Sequence, residues 1–452
     1  MLGRDGAMQS DIIQVDPALL SKFNRPVPRY TSYPTAPQFH AMEESTLIDT
    51  LQSFDQTQKP LSLYFHIPFC KTMCLFCGCS VILNRKPERQ STYLDHLLKE
   101  IELVTSRFST KRAVSQLHFG GGTPTSLSIA EFELLMEKIH RHFTFTNNAE
   151  ISIEIDPRTV FADKGDKLIA LKQLGFNRVS FGVQDLDPIV QEAVRRRQSE
   201  EMTVSTYYKA RELGFDGVNI DLIYGLPFQT VERFSKTADR LIELKPDRIA
   251  FYSYAKIPWL KEHQKAIPEE TLPSTDEKFR IYVDARARFM NGGYTAIGMD
   301  HFALSSDSMA EAYLSKKLTR NFQGYAVEMA EDMIGFGVSS IGFIQNSYFQ
   351  NLKSLEDYQG RIAKGSLPVH RGYQLHADDI FRRQAILELM CHFEIDKFKF
   401  GHLADVDPLK KEGLLEETDD KYRATALGRL FIRLIANSFD AYAHQGKFSS
   451  AV

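Results

Sequence analysis

Residues 62–79 read SLYFHIPFCKTMCLFCGC, an apolar run of strand character that gives way after Pro68 to a loop dense in cysteine. Working outward, the strand half of that pattern recurs. Similar runs occur at 115–121 (SQLHFGG), 150–156 (EISIEID), 178–185 (RVSFGVQD), 217–225 (GVNIDLIYG) and 248–255 (RIAFYSYA). Between them lie stretches such as STYLDHLLKEIELVTSRF, IAEFELLMEKIHRHF and SEEMTVSTYYKARELGF, whose apolar residues recur at helical spacing. Six strand-then-helix units predict an α/β fold on a parallel sheet, closed or partly closed as a (β/α)6 barrel. Continuous apolar character in several runs predicts strands buried on both faces.

The bounds are those of a globular protein. The chain has 452 residues, 43% hydrophobic and 25% charged, enough for a large core. A formal net charge of −3 provides no global basic field, so neither nucleic acid nor an anionic membrane is expected as a partner. No run of eighteen apolar residues suggests a membrane span. The opening MLGRDGAMQSDIIQVDP has no apolar signal-peptide core, and its acidic residues do not suit a transit peptide. A cytoplasmic protein is therefore expected, in a compartment that keeps thiols reduced. A monomer is expected too.

The chain divides into an N-terminal arm (1–60), the barrel with its sheet extension (61–345), a polar connection (346–372) and a mainly helical C-terminal domain (373–452). The arm holds the unusual run RYTSYPTAPQF. Two further apolar runs, GYTAIGMDHFA (293–303) and MIGFGVSSIGFIQ (333–345), extend the sheet or cover its open end. The last domain reads as helix, two short strands around a polar turn and helix, a winged-helix-like order. Its 12 Lys and Arg against 13 Asp and Glu over 370–452 show no basic face for DNA.

Four of the five cysteines, Cys70, Cys74, Cys77 and Cys79, lie within ten positions. A structural zinc site draws ligand pairs from well-separated segments. One loop directly after a strand suits a cluster of several irons better. If three thiolates bind a [4Fe–4S] cluster, one iron stays open for chemistry. The glycines of GGGTPT (120–125) suit either a tight strand-to-helix turn or close approach of a ligand, and no G-K-[ST] ending marks a triphosphate loop. Glu154 ends a strand, where a carboxylate points into a barrel's mouth and can accept from a ribose diol.

The spacing of Cys70, Cys74 and Cys77 resembles the signature of the radical S-adenosylmethionine enzymes. The wider stretch LYFHIPFCKTMCLFCGC, with HFGGGTPTSL, EISIEIDPR, SFGVQD, NIDLIYGLP, GMDHFA and NFQGY in order, is similar to the oxygen-independent coproporphyrinogen III oxidases. The resemblance covers most of the chain. It implies a partial radical-SAM barrel with Cys70, Cys74 and Cys77 as cluster ligands and Cys79 outside the ligand set. Close relatives, the haem-trafficking chaperones and haem-degrading radical enzymes, typically carry an aromatic residue at position 79.

The resemblance also implies contacts to S-adenosylmethionine from Tyr64, Gly121, Glu154 and Ile341. A second molecule of it would meet Phe76, Gly122, Thr123, Gln184, Arg196, Asp221 and Ala255. The run Arg195–Arg197 leaves the register of Arg196 open by one residue, and such runs are usually solvated. A substrate with four propionates calls for cations in a buried site. Candidates are Arg29 and Tyr30 in the arm, Asp300 and His301 in GMDHFA, Arg320 before NFQGY, and Arg382 and Arg383. Cys391, alone in an apolar helix, is expected in the core.

The implied reaction starts when a one-electron donor, such as a flavodoxin- or ferredoxin-type protein, reduces the cluster. A 5′-deoxyadenosyl radical then takes a hydrogen from a propionate β-carbon of coproporphyrinogen III. Loss of CO₂ and one electron leaves a vinyl group, and a second round gives protoporphyrinogen IX, an intermediate of haem synthesis. The rivals are a haem chaperone and a haem-degrading relative.

Overall fold

A computed structural model of the chain describes residues 17–327, 330–443, 445 and 448–450. The first sixteen residues of the expected arm therefore lie outside the described residues. The six expected strands are all present: β1 (Leu61–Ile67), β2 (Arg112–Gly121), β3 (Phe143–Ile155), β4 (Arg178–Gln184), β5 (Gly217–Tyr224) and β6 (Arg248–Ser253). They pair in parallel and in chain order. Helices cross over between them, among them α1 (Pro87–Thr105), α2 (Ile129–His142), α3 (Glu200–Glu212) and α4 (Val231–Leu244). Ser128, Ser199 and Thr230 cap the last three by accepting from backbone N–H groups of the first turn. At α2 the cap is reciprocal, with Glu131 accepting from the Ser128 N–H.

The sheet grows to thirteen strands. Beyond β6 it continues through β8 (His301–Leu304) and β7 (Tyr294–Ile297), both antiparallel. On the other side β9 (Met333–Phe336) runs parallel to β1. From there β10 (Ile341–Ile344), β11 (Ser347–Asn351) and β12 (Val369–Gln374) continue antiparallel, and His40–Ala41 of the arm closes the edge. Both apolar runs after residue 290 thus extend the sheet. So do residues 347–351 and 369–374, most of which the sequence suggested as a connection and the last two as the start of the C-terminal domain. Strands of five or six residues between polar turns leave too short a periodic signal to read.

Burial follows the expectation in part. In β1 every residue but Tyr64 is buried, and Phe65 stacks between Phe119 and Phe336 at 5.1 and 4.8 Å. Burying a side chain of that size contributes roughly 1.5–3 kcal/mol. In β3, β4 and β5, however, burial alternates. Val179, Phe181 and Val183 pack in the core, as do Val218, Ile220 and Leu222. The intervening positions, Ser152 and Glu154, Ser180 and Gln184, Asn219 and Asp221, are only partly covered. A polar inner face replaces the apolar one expected, because this face lines a site.

The C-terminal segment opens with α5 (Ala377–His392) and carries three strands, Glu394–Asp396, Leu415–Glu417 and Lys421–Ala424. The first of these has no counterpart in the sequence reading. Apolar packing is continuous from Leu20 through the sheet to Phe439. Arg433, buried, donates to the carbonyls of Pro28 and Val27 and so fastens the arm to the C-terminal helices.

Candidate active site

The cysteine loop leaves β1 at Pro68 and folds back on itself. Phe69–Cys70 pairs with Ile82–Leu83, and the Asn84 N–H donates to the Cys70 carbonyl at 2.9 Å. All the cysteines are free thiols. Cys74 is buried against two guanidinium groups, with Arg196 Nη1 at 3.6 Å and Arg158 Nη2 at 4.0 Å from its sulfur. Cys70 Sγ lies 3.3 Å from the Thr123 hydroxyl. The neighbouring thiols of Cys77 and Cys79 act on each other, lowering the Cys77 thiol to about 7 and raising that of Cys79. Burial pushes the Cys70 thiol up to about 11, so binding a metal there as the thiolate would release its proton.

Asp156 organises that charge. Its carboxylate takes a forked contact from Arg158 at 2.6–3.1 Å and lies 3.5 Å from Arg196 Nη1. Burial opposes its ionisation, yet Arg196 and Arg158 hold its pKa down to about 2. Of the three consecutive arginines only Arg196 points inward. It is buried and donates to the Gly182 carbonyl at 2.5 Å, whereas Arg197 is exposed and pairs with Glu192. The Nε of Arg196 has no hydrogen-bond partner.

The glycine turn closes the other side. Gly121 has φ +117°, and a Cβ there would stand 2.6 Å from the His66 ring. A Cβ on Gly122 would meet the Pro68 carbonyl oxygen at 2.5 Å. Packing alone therefore demands both glycines. At Gly120 a Cβ would stand 2.9 Å from Glu154 Oε1 and 3.1 Å from the Tyr64 ring, which also keeps space beside two expected contact residues open.

Glu154 accepts from the Gly121 N–H at 3.1 Å and from His118 Nε2 at 3.4 Å. Burial works against its charge, but these donors hold its pKa below the ordinary value. His118 stacks on Tyr64 with rings 14° from parallel. Tyr64 donates to His66 Nδ1 at 2.9 Å, and His66 Nε2 donates to the Ser80 carbonyl at 2.9 Å. Burial keeps His66 neutral, which fits one nitrogen accepting and the other donating. Asp221 accepts from Ser180 and Asn219, and burial followed by the nearby Glu154 charge lifts its pKa to about 6.

The sheet thus gathers Tyr64, Gly121, Gly122, Thr123, Glu154, Gln184, Arg196 and Asp221 around the thiol loop. Phe76 packs with Leu75, Val190 and Tyr254, and its carbonyl shares the Gln264 side-chain amide with that of Ala255. Ile341 begins β10 beside Gly335 of β9. Sequence reasoning assigned no role to Asp156, Arg158, His66, His118, Lys261 or His263. The last two donate to the carbonyls of Cys79 and Cys77 from a loop that carries no motif. Asp156 and Arg158 were visible only as part of EISIEIDPR.

A second polar group lies beyond Asp221. Arg29 donates to Asp300 Oδ2 at 3.0 Å and lies over the Tyr252 ring. His301 Nδ1 contacts Asp300 Oδ1 at 2.7 Å, and its ring stands between Tyr252 and Tyr325. Burial opposes ionisation of Asp300, but His301, Arg320 and Arg29 hold it far below the usual carboxylate range. Arg320 is buried over Tyr325, with neither Nε nor Nη1 partnered. Tyr30 is buried and spends its hydroxyl on Asp440 and Asn437, so it anchors the arm. Arg382 is taken up by Asp378 and by the carbonyls of Leu403 and Phe439. Arg383 lies over Phe343 and pairs with Glu331. Cys391 is in the core.

The donor set fits an iron–sulfur cluster. Among the described residues no three His, Cys, Asp or Glu side chains could hold one metal ion together. Thiolates that each bind a different iron need no such convergence, and the Arg158–Arg196 pair suits an anionic cluster. Three thiols on one loop at a sheet's mouth, next to a glycine cradle and a carboxylate, define a radical S-adenosylmethionine protein. The radical SAM superfamily model matches residues 64–241. Within it the chain belongs to the oxygen-independent coproporphyrinogen III oxidase family. It is 40% identical to that oxidase of Synechocystis, covering 97% of this chain and 98% of the relative. With the oxidase of Escherichia coli K12 the identity is 42%, covering 96% of each. The solved structure of the Escherichia coli coproporphyrinogen III oxidase superposes with a TM-score of 0.88 at 41% identity, over 96% of this chain and all of that one.

Proposed function

We propose that the protein converts two propionate side chains of coproporphyrinogen III to vinyl groups without oxygen, giving protoporphyrinogen IX for haem synthesis. Each propionate loses a β-hydrogen atom, CO₂ and one electron. A [4Fe–4S] cluster and S-adenosylmethionine, when bound, supply the one-electron chemistry that removes a hydrogen atom from an unactivated carbon. Cys70, Cys74 and Cys77 would hold the cluster, with Arg158 and Arg196 balancing its charge. Tyr64, Gly121, Glu154 and Ile341 would hold one S-adenosylmethionine, Glu154 accepting from the ribose. Phe76, Gly122, Thr123, Gln184, Arg196, Asp221 and Ala255 line the place for a second.

Arg29 and Arg320 would pair with substrate carboxylates, and Asp300 with His301 orients Arg29. The carrying observation is that one mouth of the sheet holds the thiol loop, the Glu154 carboxylate and, beyond Asp221, cations in a buried setting. A flavodoxin- or ferredoxin-type protein would supply electrons, and the enzyme would act as a cytoplasmic monomer. Among the described residues no helix is long and apolar enough to cross a membrane.

The test is anaerobic incubation of reduced, reconstituted protein with coproporphyrinogen III and S-adenosylmethionine. Vinyl products and CO₂ support the reading. Tight haem binding without turnover, or an opened tetrapyrrole ring, replaces it with a chaperone or a haem-degrading enzyme.

A further inference from the structure

The outer face of the cysteine loop carries charge that nothing in the fold uses. Lys71, Arg85 and Lys86 are exposed, and none of them enters an ion pair among the described residues. Exposed cations without an ion pair occur elsewhere among the described residues, as at Arg25, Lys245 and Arg361, but here three of them closely follow the paired strands Phe69–Cys70 and Ile82–Leu83. Lys167 lies close enough for the Lys71 charge to act on it, and it donates to the Thr125 carbonyl at 2.7 Å. The acids near this patch are Glu88, which is exposed at the start of α1, and Asp163 and Glu131 beside Lys167. At its centre Leu83 is 51% exposed, a large apolar side chain left in water.

This patch is built on the backbone of a candidate cluster ligand. Leu83 is the register partner of Cys70, the Asn84 N–H donates to the Cys70 carbonyl, Lys71 follows Cys70, and Arg85 Nε donates to the Lys71 carbonyl at 3.5 Å. One strand spacing, on the order of 4.8 Å, separates the Ile82–Leu83 backbone from that of Cys70.

We propose that Lys71, Arg85, Lys86 and Leu83 form the docking face for the electron donor, an acidic one-electron carrier whose redox centre is placed next to the Cys70 edge of the site. The inference rests on the functional reading above. Opposite charge steers encounter and sets orientation, while a few cations around one apolar contact suit a weak, short-lived complex. Electron-transfer complexes occupy the small end of the interface range. One electron leaves the carrier's reduced centre per encounter, and no atom is transferred. The chain's net charge of −3 leaves this patch a local feature, too small to bind a nucleic acid backbone strongly.

The test uses the full chain with Lys71→Glu, Arg85→Glu and Lys86→Glu combined, and Lys71→Glu alone in case the triple variant misfolds. Reduced flavodoxin is one electron source and dithionite the other. The expected result is a loss on the order of tenfold in the rate of cluster bleaching by flavodoxin, with dithionite-driven turnover unchanged. In the parent protein the flavodoxin rate falls with added salt, and in the variant it no longer does. As a second readout, carbodiimide cross-linking of oxidised flavodoxin maps to Lys71 and Lys86 and not to exposed Lys411. An unaltered flavodoxin rate, or cross-links confined to other lysines, overturns the proposal. Failure of the parent protein to make vinyl products with dithionite instead overturns the enzymatic reading, and the two failures are distinct.

Discussion

The Tyr93 hydroxyl donates to the His66 carbonyl at 2.6 Å. The same oxygen accepts from the Val338 N–H at 3.1 Å, so one side chain on α1 ties the end of β1 to the turn that leads into Ile341. Gly337 makes room for it, since a Cβ there would stand 2.3 Å from the hydroxyl. Tyr93→Phe leaves a buried carbonyl and a buried N–H without partners, each costing roughly 1–3 kcal/mol. The variant should melt several degrees lower and show a raised KM for S-adenosylmethionine with normal iron content. An unchanged KM would remove Tyr93 from the positioning of the 337–341 turn.

Glu100, also on α1, accepts from Tyr358, Asn351 and the Gly337 N–H and is fully buried among them. Burial outweighs these donors and raises its pKa from 4.5 to about 7. The folded chain then binds a proton that the unfolded chain has released. This group therefore favours the fold most at low pH, and its contribution declines as pH rises from roughly 4.5 to 7. Urea unfolding of the parent between pH 5.5 and 8 should show stability falling by about 1–3 kcal/mol from this source. Glu100→Gln should flatten that slope, and an identical slope in the variant would refute the assignment.

The six-strand core was legible because each strand is bounded by turn residues and followed by a stretch of helical periodicity. Cys70, Cys74 and Cys77 were legible because they are close in sequence. The balancing charge was not: Asp156, Arg158 and Arg196 come from segments far from Cys74, and only folding brings their guanidinium groups to it. The same limit hid the inner polar face, since an Asn219 or Ser180 within an apolar run does not announce which side it faces. Conversely, Tyr30 looked like a ligand beside Arg29, but its neighbour's contacts do not extend to it.

Cysteine replacement separates ligand from neighbour. Cys70→Ser, Cys74→Ser and Cys77→Ser should each abolish the cluster's absorbance, while Cys79→Ser should retain most of it. Iron and acid-labile sulfide content of anaerobically prepared variants is the measurement. Equal loss in all four would contradict the ligand set. Arg196→Met should keep the loop intact but weaken the hold on cluster and nucleotide, and Arg196→Lys should not restore it. A lysine cannot contact Cys74 and the Gly182 carbonyl with one planar group.

At Gly122 the obstacle to a side chain is backbone, the Pro68 carbonyl at 2.5 Å from an added Cβ. That contact cannot be relieved by a rotamer change, so Gly122→Ala must shift the β1 end that carries the cysteine loop. We expect a stability loss of roughly 1–3 kcal/mol and poor cluster reconstitution. Gly413→Ala serves as comparison, because a Cβ there meets nothing within 4 Å and only its φ of +69° is unfavourable. Thermal melts of both proteins without cluster distinguish crowding at the site from a general intolerance of glycine replacement.

Arg320 offers the sharpest division between stability and function. Its guanidinium is buried with two nitrogens unpartnered, a costly state unless an anion completes it. If that anion is a propionate of the substrate, Arg320→Met removes a charge-assisted contact and should raise the KM for coproporphyrinogen roughly 10- to 100-fold. The same change removes two unsatisfied buried nitrogens along with the contact to Tyr325 and the charge beside Asp300, so the substrate-free protein should melt close to the parent, Asp300 keeping His301 and Arg29. Arg320→Lys should recover only part of the binding, because an ammonium lacks the planar fork. A variant that melts lower and binds substrate normally would make Arg320 a structural residue.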